Sequence, residues 1–367
     1  MKKHIAAQAV ITALLIIING LSWLSAAAAD FYHRHIYHHA AGVMSRICGA
    51  VPFSVGEVMI MLGILILVLF PVLLIISAVR GNRKLRRMST VIFCGILVFI
   101  FMTETLNCFV LYHTTELTDR LSPYSTSDMT TDEVVDMCAK MIERANALAP
   151  VIDRDDKGRP ALPDDLAGEA EAAFSRMTDD FPELAGYCTP PKKIQSSMIM
   201  TQFDLQGIFF PFSLEANYNA ELSPARVPST VFHELCHVKG FIREDEANFL
   251  AAVACMKSDE PVVRYSGYII CMNYLYGEAV RYASEEDIYM LRSLLTSQVA
   301  KDNTFVSEEY MKQVEEKAVV STEVMNEVAD TAIDTTLRVN GISDGSKSYG
   351  RMVTLLLMYD SRMGYAE

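Results

Sequence analysis

The stretch VFHELCHVKGFIREDEANFLA, residues 231–251, places two histidines four positions apart with a glutamate directly after the first. On a helix, residues i and i+4 are neighbours with Cβ atoms about 5–6 Å apart, so His233 and His237 can turn both imidazoles toward one divalent ion. Glu234 projects from the adjacent face. There it is placed to take a proton from water rather than to bind metal, the general-base role of an HExxH pattern. The histidine distribution supports a common role for the pair, since six of the eight lie at or before residue 113, and His233 and His237 are the only two beyond it.

A catalytic zinc commonly takes three protein groups and keeps one position open. With no third histidine at hand, the candidates are the carboxylates Glu244, Asp245 and Glu246. A helix running on past residue 240 would carry Glu246 about 13–14 Å beyond His237, at roughly 1.5 Å per residue. The chain must therefore turn back, and Gly240 is the residue able to let it. Glu246 opens the apolar helical run EANFLAAVAC and is the preferred third ligand of one Zn²⁺ ion, with Glu244 as the alternative. A rival reading treats the histidines as ordinary core or surface residues and the acids as favourable charges at a helix N-terminus; it leaves the histidine spacing as coincidence.

These groups need elements to hold them. Pro228, Ser229 and Thr230 offer a helix start and Gly240 a left-handed stop, so TVFHELCHVK reads as a short punctuated helix. Further helices are expected near residues 129–148, 246–257, 262–282, 284–298, 307–337 and 347–360. The segment 192–220, with SSMIMTQFD and GIFFPFSLEAN, is short-patterned and aromatic and reads as a small sheet or hairpin. Its second half precedes the metal helix and is the natural strand for main-chain pairing with a peptide, with Phe210 and Glu215 as candidate substrate-binding residues. Arg264, Tyr265 and Tyr268 in RYSGY are candidate donors to a developing oxyanion, Tyr265 foremost. Cys236, Cys255 and Cys271 fall among apolar neighbours and read as core.

Half the chain's character is lipidic: hydrophobic residues make up 51% of 367. Three apolar runs, about residues 5–28, 54–79 and 88–113, are each long enough for the ~20 residues a membrane-spanning helix needs. Between the second and third lies RGNRKLRR, whose five positive charges hold that loop in the cytoplasm. The N-terminus is then cytoplasmic, with FYHRHIYHHA as an outer loop, and everything after about residue 114 lies outside. The first run also mimics a cleaved signal peptide, which leaves the C-terminal domain on the same side. Residues 1–113 carry nine basic against three acidic side chains, so the remainder holds −19 of a total −13. An acidic domain of that kind is a poor partner for nucleic acid.

The expected architecture is a membrane-anchored, mainly α (α+β) protein. A transmembrane region (1–113) and a linker (114–128) lead into a mostly helical extracytoplasmic domain (129–367) with a small β-sheet. HExxH followed by the glutamate of EANFLA resembles the gluzincin pattern. VPFSVGEV, ERANALA, GIFFPFSLEANYN, HELCHVKGFIREDEANFLA, RYSGY and SYGRMV resemble, in order, the bacterial membrane-protein family known as domain of unknown function 3810. That resemblance implies a zincin-like domain with His233, His237 and Glu246 as metal ligands and Glu234 as catalytic base. The spacing departs from most gluzincins, and HELCHVKG echoes the HExxHxxG turn of metzincins, where the third ligand would fall on Arg243, which cannot bind a cation. The expectation is a multi-pass cell-membrane zinc peptidase acting on a peptide or protein outside the cytoplasm. The alternative is a non-catalytic zinc-binding sensor or scaffold.

Overall fold

Apolar runs with no room for a soluble core become helices long enough to cross a bilayer: Lys2–Leu24 (α1), Val55–Val79 (α4) and the stretch Arg83–His113, whose regular part is Arg83–Glu104 (α5). This is a computed structural model, and it describes residues 2–121, 130–318, 320–327, 331, 335 and 349–363. The chain forms two compact units, one made of residues up to Thr115 together with Phe210–Glu215, the other of Glu116–Phe209 and the rest from Ala216.

In the first unit, α4 and α5 form a helical hairpin. Gly81 takes φ 59°, Asn82 caps α5 by accepting from the Leu85 N–H at 3.0 Å, and Phe70 stacks on Phe93 with ring centroids 3.9 Å apart. The histidine-rich stretch expected as a loop is helical instead: Ala26–Tyr32 (α2), a π-helical turn His33–Tyr37 and His38–Gly49 (α3). Consecutive residues without Gly or Pro between 26 and 41 favour continued helix, and His33 and Tyr37 are buried. At the start of α4 the Glu215 carboxylate accepts from the backbone N–H groups of Val55 (3.2 Å) and Gly56 (2.9 Å) and from the Ser213 hydroxyl (2.6 Å). An anion there meets the unsatisfied donors and the positive end of a helix.

The second unit is built on helices in chain order: Leu117–Arg120 (α6), Thr131–Leu148 (α7), Leu166–Ser175 (α8), Ser197–Gln202 (α9), Val227–Val238 (α10), Glu244–Met256 (α11), Pro261–Tyr282 (α12), Glu285–Leu294 (α13), Ser297–Asp302 (α14), Glu308–Lys317 (α15) and Tyr349–Met363 (α16). The expected helix 284–298 is two, broken around Leu295 and Thr296. Of the expected linker, residues 122–128 lie outside the described residues, as does much of 318–348. The expected small sheet has three strands, Lys192–Ile194 (β1), Gly207–Phe210 (β2) and Glu215–Asn219 (β3), in the order β1-β3-β2. β1 runs parallel to β3 with Lys192 opposite Asn217. β3 is wholly buried, whereas β2 is a half-buried edge.

The core places α10, α11 and α12 against one another. Cys236, Cys255 and Cys271 are buried in it, as the sequence suggested. The close approach of α11 to α12 depends on Gly267: a Cβ there would stand 2.7 Å from Cys255 Cβ, 3.0 Å from the Met256 nitrogen and 3.1 Å from the Ala252 oxygen. Two of those neighbours are backbone and cannot rotate away. Gly267→Ala is therefore expected to destabilise the domain by about 1–3 kcal/mol through overpacking, measured as a lowered midpoint in chemical denaturation of the detergent-solubilised protein; an unchanged midpoint would show that the helices separate at no cost.

Candidate metal centre

α10 begins at Val227 with Pro228 in its first turn and no capping side chain from its own sequence. The missing cap comes from α12, whose Ser266 hydroxyl accepts from the Ser229 N–H at 2.9 Å. At the other end Gly240 takes φ 99°. The Gly240 N–H bonds to the His237 carbonyl (2.9 Å) and the Phe241 N–H to the Cys236 carbonyl (3.1 Å), the paired bonds of a Schellman stop. Lys239, buried at that end, donates to the carbonyls of Ala185, Gly186 and Tyr187 at 2.7–3.0 Å and so ties the helix terminus down.

The chain reversal expected after Gly240 is present, and it arranges the histidines. The Phe241 carbonyl lies 2.7 Å from His237 Nδ1. An Nδ1–H donated to that carbonyl leaves Nε2 as the lone-pair nitrogen, the arrangement metal-ligating histidines commonly use. The His233 and His237 rings stand 4.5 Å apart between centroids at 84°. Ligand atoms of His233, Glu234 and His237 all lie within 4.8 Å of one another. Among the described residues, His233 Nδ1 finds no hydrogen-bond partner in its buried position.

The carboxylate that faces both rings is Glu244, not Glu246. Glu244 Oε2 is 3.2 Å from His233 Nε2, and Oε1 is 3.5 Å from His237 Nε2. Glu246 points elsewhere: its Oε1 accepts from the Leu117 N–H at 2.9 Å and from Arg243 at 3.1 Å. The reason is where the helix starts. α11 opens at Glu244, so Glu246 sits two residues and about 200° further round its axis. Asp245 goes a third way, to Arg351 Nε at 2.8 Å. Burial disfavours charge on Glu244, but the two imidazoles outweigh it and hold the carboxyl well below its usual range. Burial likewise disfavours protonated His237, yet Glu244, Glu234 and the Phe241 carbonyl raise its pKa to about 9, so that without a cation Nε2 also holds a proton toward Glu244, and a metal ion would bind there by displacing it. Two imidazole nitrogens and one carboxylate are a donor set suited to zinc, and the fixed His237 tautomer fits that use.

Glu234 is 5% exposed, and burial raises its pKa above the usual carboxylate range, with the histidines and a backbone hydrogen bond from Phe209 opposing. β2 passes directly over it. A Cβ on Gly207 would meet Glu234 Oε1 at 2.4 Å and Thr230 Cγ2 at 2.8 Å. Phe209 lies 5.9 Å from His237 between centroids. Gly207 was not singled out in the sequence; its signal is a lone glycine opening a strand.

Three other expected residues are held away from the histidines by their partners. The Tyr265 hydroxyl donates to Asp302 Oδ2 at 2.9 Å, and Arg154 pairs with the same carboxylate at 2.8 Å; Tyr265 is fully buried and does not line the cleft. Glu215 caps α4 and is itself fully buried. Phe210 belongs with the membrane unit, where its ring covers Gly56. What does line the cleft, about 530 Å³ in volume, is one face of α10 (Arg226, Thr230, His233, Glu234), one face of α12 (Ile270, Asn273, Tyr274, Gly277, Arg281), Glu244 and Asn248 of α11, and the lead-in to β2 from Asp204 to Gly207. That is within the range of ordinary small-ligand sites.

The family model described as "Protein of unknown function (DUF3810)" matches residues 32–357. The chain belongs to this family. Neither curated proteins nor solved structures give a match.

Because Glu246 is the buried carboxylate in direct contact with the Arg243 guanidinium, its removal takes away that group's nearest counter-charge. Glu246→Ala is expected to cost about 3 kcal/mol or more of stability, read from the denaturation midpoint. A loss below about 1 kcal/mol would mean that Glu116, 4.0 Å from Arg243, suffices as its partner.

Proposed function

We propose that the chain is a membrane-anchored zinc peptidase that hydrolyses peptide bonds outside the cytoplasm. The observation that carries this reading is the joint placement of His233, His237 and Glu244, with buried Glu234 beside them under the edge strand β2. The proposed ligands are His233, His237 and Glu244. A zinc ion held by them would supply a Lewis acid that polarises a carbonyl and lowers the pKa of water toward about 7.

The chain's own residues do the rest. Glu234 is the proton carrier. Its burial raises the carboxyl pKa toward the working range, and the Phe209 N–H keeps the group oriented. The exposed side of β2 is the surface on which an extended peptide adds as a strand, with main-chain hydrogen bonds aligning its carbonyl beside Glu234. Asn248, one helical turn after Glu244 and in the cleft, is the side-chain amide available to the oxygen of that carbonyl. The fixed Phe241 carbonyl keeps His237 Nε2 turned toward Glu244.

A second reading has a specific observation behind it. Glu244 already lies within 3.5 Å of both imidazoles, so the triad is self-satisfied and suits a silent metal-holding or sensing domain. Glu234 separates the two. Glu234→Gln is expected to leave zinc content unchanged in the purified protein and to lower peptide cleavage by at least about 100-fold; undiminished cleavage would remove it from the chemistry, and no cleavage by wild type across a broad peptide library would favour the silent domain. Metal analysis also sorts the acids: Glu244→Ala is expected to lose bound zinc and Glu246→Gln to keep it, and the reverse would restore Glu246 as ligand.

The side of the membrane follows from loop charge. Arg80, Arg83, Lys84, Arg86 and Arg87 cluster at the turn between α4 and α5, and such loops stay inside. A reporter that works only in the cytoplasm is expected to be silent when fused at the C-terminus. An active fusion would invert the topology and move the cleft to the cytoplasm.

A further inference from the structure

The cleft beside the histidines contains two arginines. Arg281 is paired with Glu278 at 3.2 Å. Arg226 has no such close pair: half-buried in the cleft wall, its guanidinium makes no direct hydrogen bond or ion pair among the described residues, and the carboxylate of Asp204 in the same cleft acts on it only at longer range. Burial lowers its pKa, with Asp204 and Tyr274 near enough to oppose. A partly desolvated guanidinium with five donors is costly to leave unanswered, and a planar carboxylate is its best match.

Its position on α10 adds to this. Arg226 is the N-cap residue directly ahead of the helix, so the positive end of the helix dipole lies at the same place and favours an anion. Arg226, Thr230 and Glu234 follow one another at four-residue steps along one face, all lining the cleft. The eight residues from Arg226 to Glu234 rise about 12 Å. An extended peptide advances about 3.3 Å per residue, so that distance spans roughly three to four residues.

We propose that Arg226 receives the C-terminal carboxylate of a peptide, so that the cleft selects free chain ends and the bond brought to Glu234 lies within about four residues of the C-terminus. The identity of the anion as a peptide end rests on the peptidase reading; the presence of an anion receptor does not. Arg226 is a binding residue here and takes no part in proton transfer. Around it the cleft offers the polar side chains of Asn273 and Tyr274 of α12 and Gln206 ahead of β2, which suit a peptide backbone, together with the carboxylate of Asp204, which an incoming anion must outcompete at the guanidinium.

The test is equilibrium binding to the full detergent-solubilised chain carrying Glu234→Gln, so that nothing is cleaved. The probes are N-terminally fluorescein-labelled trialanine with a free carboxylate and the same peptide as its C-terminal amide. The acid is expected to bind about 10- to 100-fold more tightly than the amide, the range for a charge-assisted pair. Adding Arg226→Gln should erase the difference, Arg226→Lys should keep part of it, and amide binding should be alike in all three, which reports an intact cleft. Equal affinity for acid and amide overturns the proposal, as does a preference that survives Arg226→Gln. Inorganic phosphate that binds more tightly than the acid peptide, and loses that affinity in Arg226→Gln, assigns the pocket to free phosphate and also overturns it. Cleavage by the wild-type chain then separates the two readings. Selective binding of the acid without any cleavage keeps the receptor and removes the peptidase; internal cleavage of amidated peptides without acid preference keeps the peptidase and removes the receptor.

Discussion

The reversal of the chain at Gly240 is the constraint from which the rest of the candidate centre follows. A helix that ended in any other way would carry residues 241–246 away along its axis. The left-handed Gly240 instead folds them back, and two separate contacts result: the Phe241 carbonyl reaches His237 Nδ1, and Glu244 reaches Nε2 of both histidines. One backbone conformation thus sets the tautomer of one imidazole and delivers the carboxylate. For a residue with a Cβ, the same φ is costly. The Lys239 ammonium, satisfied by three carbonyls of the 185–187 loop, holds the helix end in place while the turn is made.

The three acids that follow show how much depends on where a helix begins. Glu244, Asp245 and Glu246 occupy the first turn of α11, where all three gain from the helix dipole. Successive side chains leave a helix about 100° apart, so one faces the imidazoles, one Arg351 and one the Leu117 N–H with Arg243. The sequence made the reversal and the carboxylate class legible, because Gly240 and the lack of a third histidine are local facts. It did not make legible which glutamate faces the imidazoles. A start at Glu246 points that residue toward the histidine rings; a start at Glu244 turns it away. Arg243, as the extended residue before the helix, decides between them.

Long-range partners hid the other misplaced residues. Tyr265 has the right chemistry for an oxyanion donor, but Asp302, far along the chain and held by Arg154, occupies its hydroxyl. Glu215 resembles a solvated strand-end acid, yet it closes the N-terminus of α4, about 160 residues earlier. Neither pairing leaves a mark on local composition. What did show locally were features with a period or a punctuation: the three apolar spans, the α10 face, the length of α12 and the break in texture at the small sheet. The histidine-rich segment misled because composition suggested a wet loop, whereas the absence of Gly and Pro through most of it permits a continuous helix.

The second unit carries its buried charge with care, and this gives the cleft its meaning. Lys239 is met by three carbonyls, Arg243 by Glu246, and Arg154 by Asp302 in a two-pronged contact with both carboxylate oxygens. Each guanidinium or ammonium taken from water has been given an acceptor, as the cost of leaving one unpaired requires. Among the described residues, Arg226 differs from these three cations in having no direct hydrogen bond or ion pair, with Asp204 acting on it only at longer range. Solvent reaches it through the cleft, so the deficit is tolerable in the free protein. The net negative charge of the unit works against anions at long range, so such a ligand is selected by the local guanidinium and the helix end rather than by steering. Specificity placed in that way resides in how long the ligand stays, not in how often it arrives.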